Sequence, residues 1–181
     1  MKYKGITTKN LVITAMMAAV TCILGPLSLP LPFTPVPISL TNFVIYLAAF
    51  VLTWKYCALS YIVYVLIGAI GLPVFSGFGS GFDKIAGPTG GYLLGFVFTA
   101  LICSIVNQKF AGKLYMYVAG MATGLFVAYA FGTLWFMYQQ EMGLKQSLVL
   151  CVVPFLIGDA VKIVVASIVG PLLRKAVNSI Q

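Results

Sequence analysis

The sequence predicts an all-α integral membrane protein with six transmembrane helices and both termini cytoplasmic. Three observations lead there. Of 181 residues, 61% are hydrophobic and 8% charged, with a mean hydropathy of +1.06, whereas soluble domains carry about 25% charged residues. The apolar residues gather into six segments near the length that crosses a hydrocarbon core of about 30 Å. The basic residues collect at alternate segment ends, which sets an orientation. Little chain remains for a soluble region, so residues 1–181 are expected to form a single transmembrane domain.

The first span, about Thr8 to Gly25, follows Met1-Lys2-Tyr3-Lys4. It runs into Pro26-Leu-Ser-Leu-Pro30 without a small-x-small cleavage site, so it reads as a retained helix rather than a secretory signal. Ala15 and Ala19 stand four apart on it, a spacing that lets another helix come close in lipid. Packing within the chain and docking on a partner both fit that pattern. The second and third spans, Ser39–Thr53 and Tyr56–Gly71, are short and separated by Trp54-Lys55, which implies a tight helical hairpin. The fourth, fifth and sixth are Gly87–Asn107, Leu114–Tyr138 and Ser147–Leu173. Lys2, Lys4, Lys9, Lys55, Lys109, Lys113, Arg174 and Lys175 fall on one side of this arrangement and only Lys84 and Lys145 on the other. The richer side is cytoplasmic by the positive-inside rule.

Two outward loops stand out. Gly25 to Pro37 holds five prolines and almost no polar residue; it is expected to fold back on the helices as a lid or plug instead of hanging in water. Gly71 to Lys84 alternates glycine with aromatic residues. Its glycines let backbone approach a ligand, while Phe75, Phe78 and Phe82 offer apolar walls.

Composition and motifs exclude several functions. The chain has no His and three carboxylates, Asp83, Glu141 and Asp159, too few for a recognisable catalytic constellation. Cys22, Cys57, Cys103 and Cys151 are scattered through apolar segments without a CxxC spacing and read as packing residues. No metal site or cofactor is expected. The glycine-rich stretches lack the GxxxxGK[ST] phosphate-loop spacing, so any ATP-driven step needs a separate ATPase. The net charge of +8 is spread over loop ends, without the basic-aromatic patch of a nucleic-acid binder.

Asp159 and Lys162 are the candidate site. They sit three residues apart in an otherwise uncharged span, where each charge costs on the order of 2.5–3.5 kcal/mol on insertion scales. An i,i+3 spacing puts both on one helix face, where they pair with each other or converge on one polar molecule.

The run Gly71-Leu-Pro-Val-Phe75, the stretch Gly87-Pro-Thr-Gly-Gly-Tyr-Leu-Leu-Gly-Phe96, Pro35-Val-Pro-Ile-Ser-Leu40 and Gly158-Asp159-x-x-Lys162 together resemble the BioY family over essentially the whole chain. That resemblance implies the bundle of an energy-coupling factor (ECF) S component, a multi-pass protein of the plasma membrane. It implies biotin as transported substrate, not cofactor, and as partners a transmembrane coupling protein and two cytoplasmic ATPases, with no nucleic acid. Ala15 and Ala19 look like the AxxxA motif by which S components dock. Many relatives carry Gln-Thr where this chain has Thr41-Asn42, so the contact of that glutamine is either remade by Asn42 or lost. The expected substrate-binding set is Asp159, Lys162, Tyr92, Asn42, Gly90, Gly91 and Phe75. Asp159 accepts a ureido N–H, and Lys162 meets either the ureido ring or the carboxylate. A solitary biotin facilitator, an S component for another vitamin and a purely structural membrane protein are the competing readings.

Overall fold

A computed structural model describes residues 8–179; Lys2 and Lys4 of the one-sided basic set lie outside them. The order is α1 (Thr8–Leu24), β1 (Ser28–Leu31), β2 (Thr34–Ser39), α2 (Thr41–Val51), α3 (Trp54–Ala69), α4 (Phe82–Ala86), α5 (Gly90–Lys109), α6 (Leu114–Gln140), α7 (Leu144–Cys151) and α8 (Leu156–Ser179). Helices dominate, and two features depart from the expected all-α chain of six continuous spans.

The first departure is the proline-rich loop, which forms a two-stranded antiparallel hairpin instead of an irregular lid, pairing Ser28 with Ser39, Leu29 with Ile38 and Leu31 with Thr34. Both strands of so small a ribbon are edges, the setting that tolerates proline, and Pro30 sits at the irregularity between Leu29 and Leu31. Thr34 and Val36 turn inward while Pro35 is exposed.

The second departure is the last apolar stretch. It is continuous by hydropathy from Leu144 to Ser179, but a 3-10 turn over Val153–Phe155 separates α7 from α8. Pro154 explains the break, because it has no N–H for the α-helical ladder and pushes the residue before it out of the helical region.

Helices α5, α6 and the α7–α8 stretch are long and apolar enough to cross a membrane; α1, α2 and α3 are shorter apolar helices. Many of the large side chains on the outer surface are hydrophobic, among them Val12, Met16, Leu66, Phe126, Ile157 and Leu172, as a lipid-facing surface requires. This is a membrane protein. Its centre is α2: none of its residues is exposed, and α1, α3, α5 and α8 all pack on it.

The most extensive helix pair is α5 with α6. Gly91, Gly95, Thr99 and Cys103 form a ridge of small residues every four positions on α5, facing Gly120, Gly124, Ala128 and Gly132 on α6. A Cβ on Gly95 would lie 2.8 Å from the Cα of Ala128. Thr99 Oγ1 donates to the Gly124 carbonyl at 2.8 Å, and Cys103 Sγ to that of Gly120 at 3.5 Å. Small residues thus allow backbone-to-backbone packing where lipid offers no hydrophobic drive between helices.

One end of the bundle gathers the basic residues. Lys9 Nζ donates to the Val177 carbonyl at 3.3 Å, Arg174 Nη1 to that of Asn107 at 3.1 Å and Gln108 Nε2 to that of Leu52 at 3.1 Å. The start of α1 and the far ends of α2, α5 and α8 therefore meet at one face.

Candidate functional site

The break at Pro154 starts α8 inside the apolar stretch and puts Asp159 in its first turn, where the positive end of the helix dipole favours a carboxylate. Asp159, Ile163, Ala166, Ser167 and Gly170 make up the buried stripe of α8, so the carboxylate faces the protein and not lipid. Asp159 is 5% exposed. Its Oδ1 accepts from Asn42 Nδ2 at 2.8 Å and from Lys162 Nζ at 2.9 Å, and its Oδ2 accepts from the Tyr129 hydroxyl at 2.6 Å.

Lys162 makes three contacts. Its ammonium donates to Asp159 Oδ1, to the Ser39 carbonyl at 2.6 Å and to Asn42 Oδ1 at 3.1 Å. An ammonium has three donors, so all are engaged. Asn42 lies in the first turn of α2, and its Oδ1 also accepts from the Phe43 backbone N–H at 3.0 Å. The end of β2, the start of α2, α6 and α8 are thus tied together at one point. A carboxylate offers about four lone-pair sites and an amide nitrogen two hydrogens, which leaves one site on Asp159 Oδ2 and one N–H on Asn42.

This point opens on a cavity lined from several directions. The hairpin and α2 contribute Val36, Pro37, Ser39, Thr41 and Asn42; α3 contributes Tyr64. Phe75, Ser76 and Lys84 come from the second outward loop and α4, and Thr89 from the turn before α5. Tyr92, Leu93 and Phe96 face it from α5, Leu125 and Tyr129 from α6, and Phe155, Asp159 and Lys162 from the last stretch. The walls are mainly apolar and aromatic, with polar groups concentrated at the carboxylate, as small-molecule sites usually are.

Of the residues singled out in the sequence, Asp159, Lys162, Asn42, Tyr92 and Phe75 line this cavity. Phe75 is seated on Gly68 of α3, where a Cβ would come within 2.2 Å of the ring. Phe78 and Phe82 do not line it; they are 65% and 74% exposed on the outer surface. Tyr92 faces the cavity, but its hydroxyl donates to the Cys151 carbonyl at the end of α7, so that donor is already used within the protein.

Gly90 and Gly91 lie outside the lining. A Cβ on Gly90 would fall 1.8 Å from the Ile85 carbonyl oxygen, and one on Gly91 would fall 2.3 Å from Trp135 Cβ. Their small size serves the entry of α5 and its contact with α6. Ala15 and Ala19 are exposed on α1, whereas Ala18 between them is buried; nothing among the described residues covers the pair.

Sequence reasoning missed Tyr129, Lys84 and the hairpin residues Val36 and Pro37. A tyrosine in an apolar helix carries no sign of its partner. Lys84 stands at a loop end, where a lysine normally means orientation alone.

The chain is similar in sequence and in fold to known proteins. Residues 1–179 match the model of the BioY family. A protein named biotin transporter BioY from Thermotoga maritima is 37% identical over 145 residues, 80% of this chain and 85% of that one. A probable biotin transporter BioY from Pyrococcus horikoshii is 33% identical over 166 residues, 92% of this chain and 96% of its own. The crystal structure of an S-component for biotin from an ECF-type ABC transporter superposes with a TM-score of 0.87 at 30% identity, covering 94% of this chain and 95% of that chain. These relatives are transporters, not enzymes.

Proposed function

From the premise that this chain belongs to the BioY family, we propose that it captures biotin at the outer face of the plasma membrane as the S component of an ECF-type transporter. The carrying observation is the unfilled valence beside the charge pair. Among the hydrogen bonds of the described residues, Asp159 Oδ2 keeps one acceptor site and Asn42 Nδ2 one donor. The buried Tyr46 hydroxyl beside Asn42 is likewise without a hydrogen-bond partner. A cyclic urea presents the complement, with ring N–H groups to the carboxylate and a carbonyl to the amide. Lys162 holds Asp159 in place, bridging it to Asn42 and the Ser39 carbonyl. The rings of Tyr92, Phe96 and Phe75 and the side chains of Val36 and Leu125 supply apolar surface for the thiophane and valeryl chain.

The chain makes six crossings, by α1, α2, α3, α5, α6 and the α7–α8 stretch, with both termini cytoplasmic. The clustering of Lys9 and Arg174 at one end and of Lys84 and Lys145 away from it supports that orientation. The exposed Ala15–Ala19 stripe is the surface that meets the coupling protein, and two ATPases drive release.

The test is a biotin titration of the purified protein in detergent, with desthiobiotin and thiamine as comparison ligands. Submicromolar, biotin-selective binding is expected. No binding by a folded sample would overturn the reading.

A further inference from the structure

We propose that Lys84 receives the carboxylate of the ligand and is thereby the residue that selects acids over neutral analogues. This rests on the biotin reading above and settles which of two lysines meets the acid.

Two lysines line the cavity, Lys162 and Lys84. Lys162 already has an acceptor for each of its three donors: the Ser39 carbonyl, Asn42 Oδ1 and Asp159 Oδ1. Meeting a ligand carboxylate would cost it one of them and would set that anion beside Asp159. Lys84 is the opposite case. Among the described residues it makes neither an ion pair nor a hydrogen bond, even though it is partly buried, and its neighbour Asp83 is exposed and unpaired with it. A half-buried cation without a partner is unfavourable until an anion arrives.

The lysine is also held in position. Its stem lies along Gly79, where a Cβ would stand 3.1 Å from both Lys84 Cδ and Cε. Its helix, α4, is pinned to the end of α6 by Trp135 Nε1 donating to the Gly87 carbonyl at 2.9 Å and Gln139 Nε2 to that of Ala86 at 2.6 Å. The polar cluster around Asp159 and this single free cation are therefore separate recognition points on one cavity, fitting a molecule with a neutral hydrogen-bonding ring and an acid on an apolar chain.

The experiment uses calorimetric titration of the full chain in detergent with biotin and with biotinamide, whose side chain is neutral. Wild type should prefer biotin at least tenfold. Lys84→Met should lose at least tenfold in biotin affinity and less than twofold in biotinamide affinity, removing the preference; Lys84→Arg should restore most of it. Equal weakening of both ligands, or a preference that survives in Lys84→Met, would overturn the assignment while leaving biotin binding intact. Failure of wild type to bind biotin would instead remove the functional reading, and this inference with it.

Discussion

Among the described residues Tyr129 donates the sole hydrogen bond to Asp159 Oδ2, so Tyr129→Phe leaves half of a buried carboxylate without a protein partner. A bond to a charged group contributes about 1.5–3 kcal/mol, roughly 12- to 160-fold if all of it reached the ligand; because this bond orients the carboxylate without touching biotin, a smaller fall of about three- to tenfold in affinity is expected by calorimetry. Asp159→Asn removes the acceptor and the partner of Lys162 together, and should weaken binding by about tenfold or more; unchanged affinity in a folded variant would show that Asp159 does not touch the ligand. At this scale the sequence was legible where physics makes a residue costly. Charges inside lipid need a reason, so Asp159 and Lys162 declared themselves, and Asn42 followed from its place in a family pattern. Tyr129 did not, since each of ten tyrosines suits an apolar helix and only the fold shows which hydroxyl meets the carboxylate. Gly90 and Gly91 misled for a related reason: a glycine pair beside a tyrosine suits ligand approach and helix approach equally.

The α5–α6 ridge is the element with the least room for change. Gly95→Leu inserts a side chain where even Cβ would be 2.8 Å from Ala128 Cα. Overpacking costs roughly 1–3 kcal/mol, and backbone against backbone leaves no flexible neighbour to yield, so a lower melting temperature in detergent and poor expression are expected. Gly158→Ala, where a Cβ meets nothing within 4 Å, is the matched control and should melt near wild type. The ridge is visible in the sequence as two four-residue periods of small residues, yet its meaning depends on the helices running antiparallel in the right register. Helix positions were readable from hydropathy because the membrane imposes length. The hairpin was not, because prolines in an apolar loop argue against sheet until both strands prove to be edges. The α7–α8 break was announced by Pro154 and hidden by the unbroken hydropathy around it.

On the scale of the whole molecule, the docking role proposed for the Ala15–Ala19 stripe separates from ligand binding. Ala15→Leu with Ala19→Leu alters only exposed positions on α1, so biotin affinity of the isolated chain should stay within twofold of wild type. ATP-dependent uptake in vesicles containing the coupling protein and ATPases should drop severalfold or more. Uptake that proceeds without those subunits would instead identify a solitary facilitator. The central position of α2 also bears on how the protein is made. At 11 residues it spans about 17 Å, short of the hydrocarbon thickness, and two helices that enclose it, α5 and α8, emerge from the ribosome later. Asn42 meets Asp159 across 117 positions of chain, so the cavity is closed by a helix made well after α2, and a chain that stops short of α8 would hold α2 in the bilayer without a finished cavity around it.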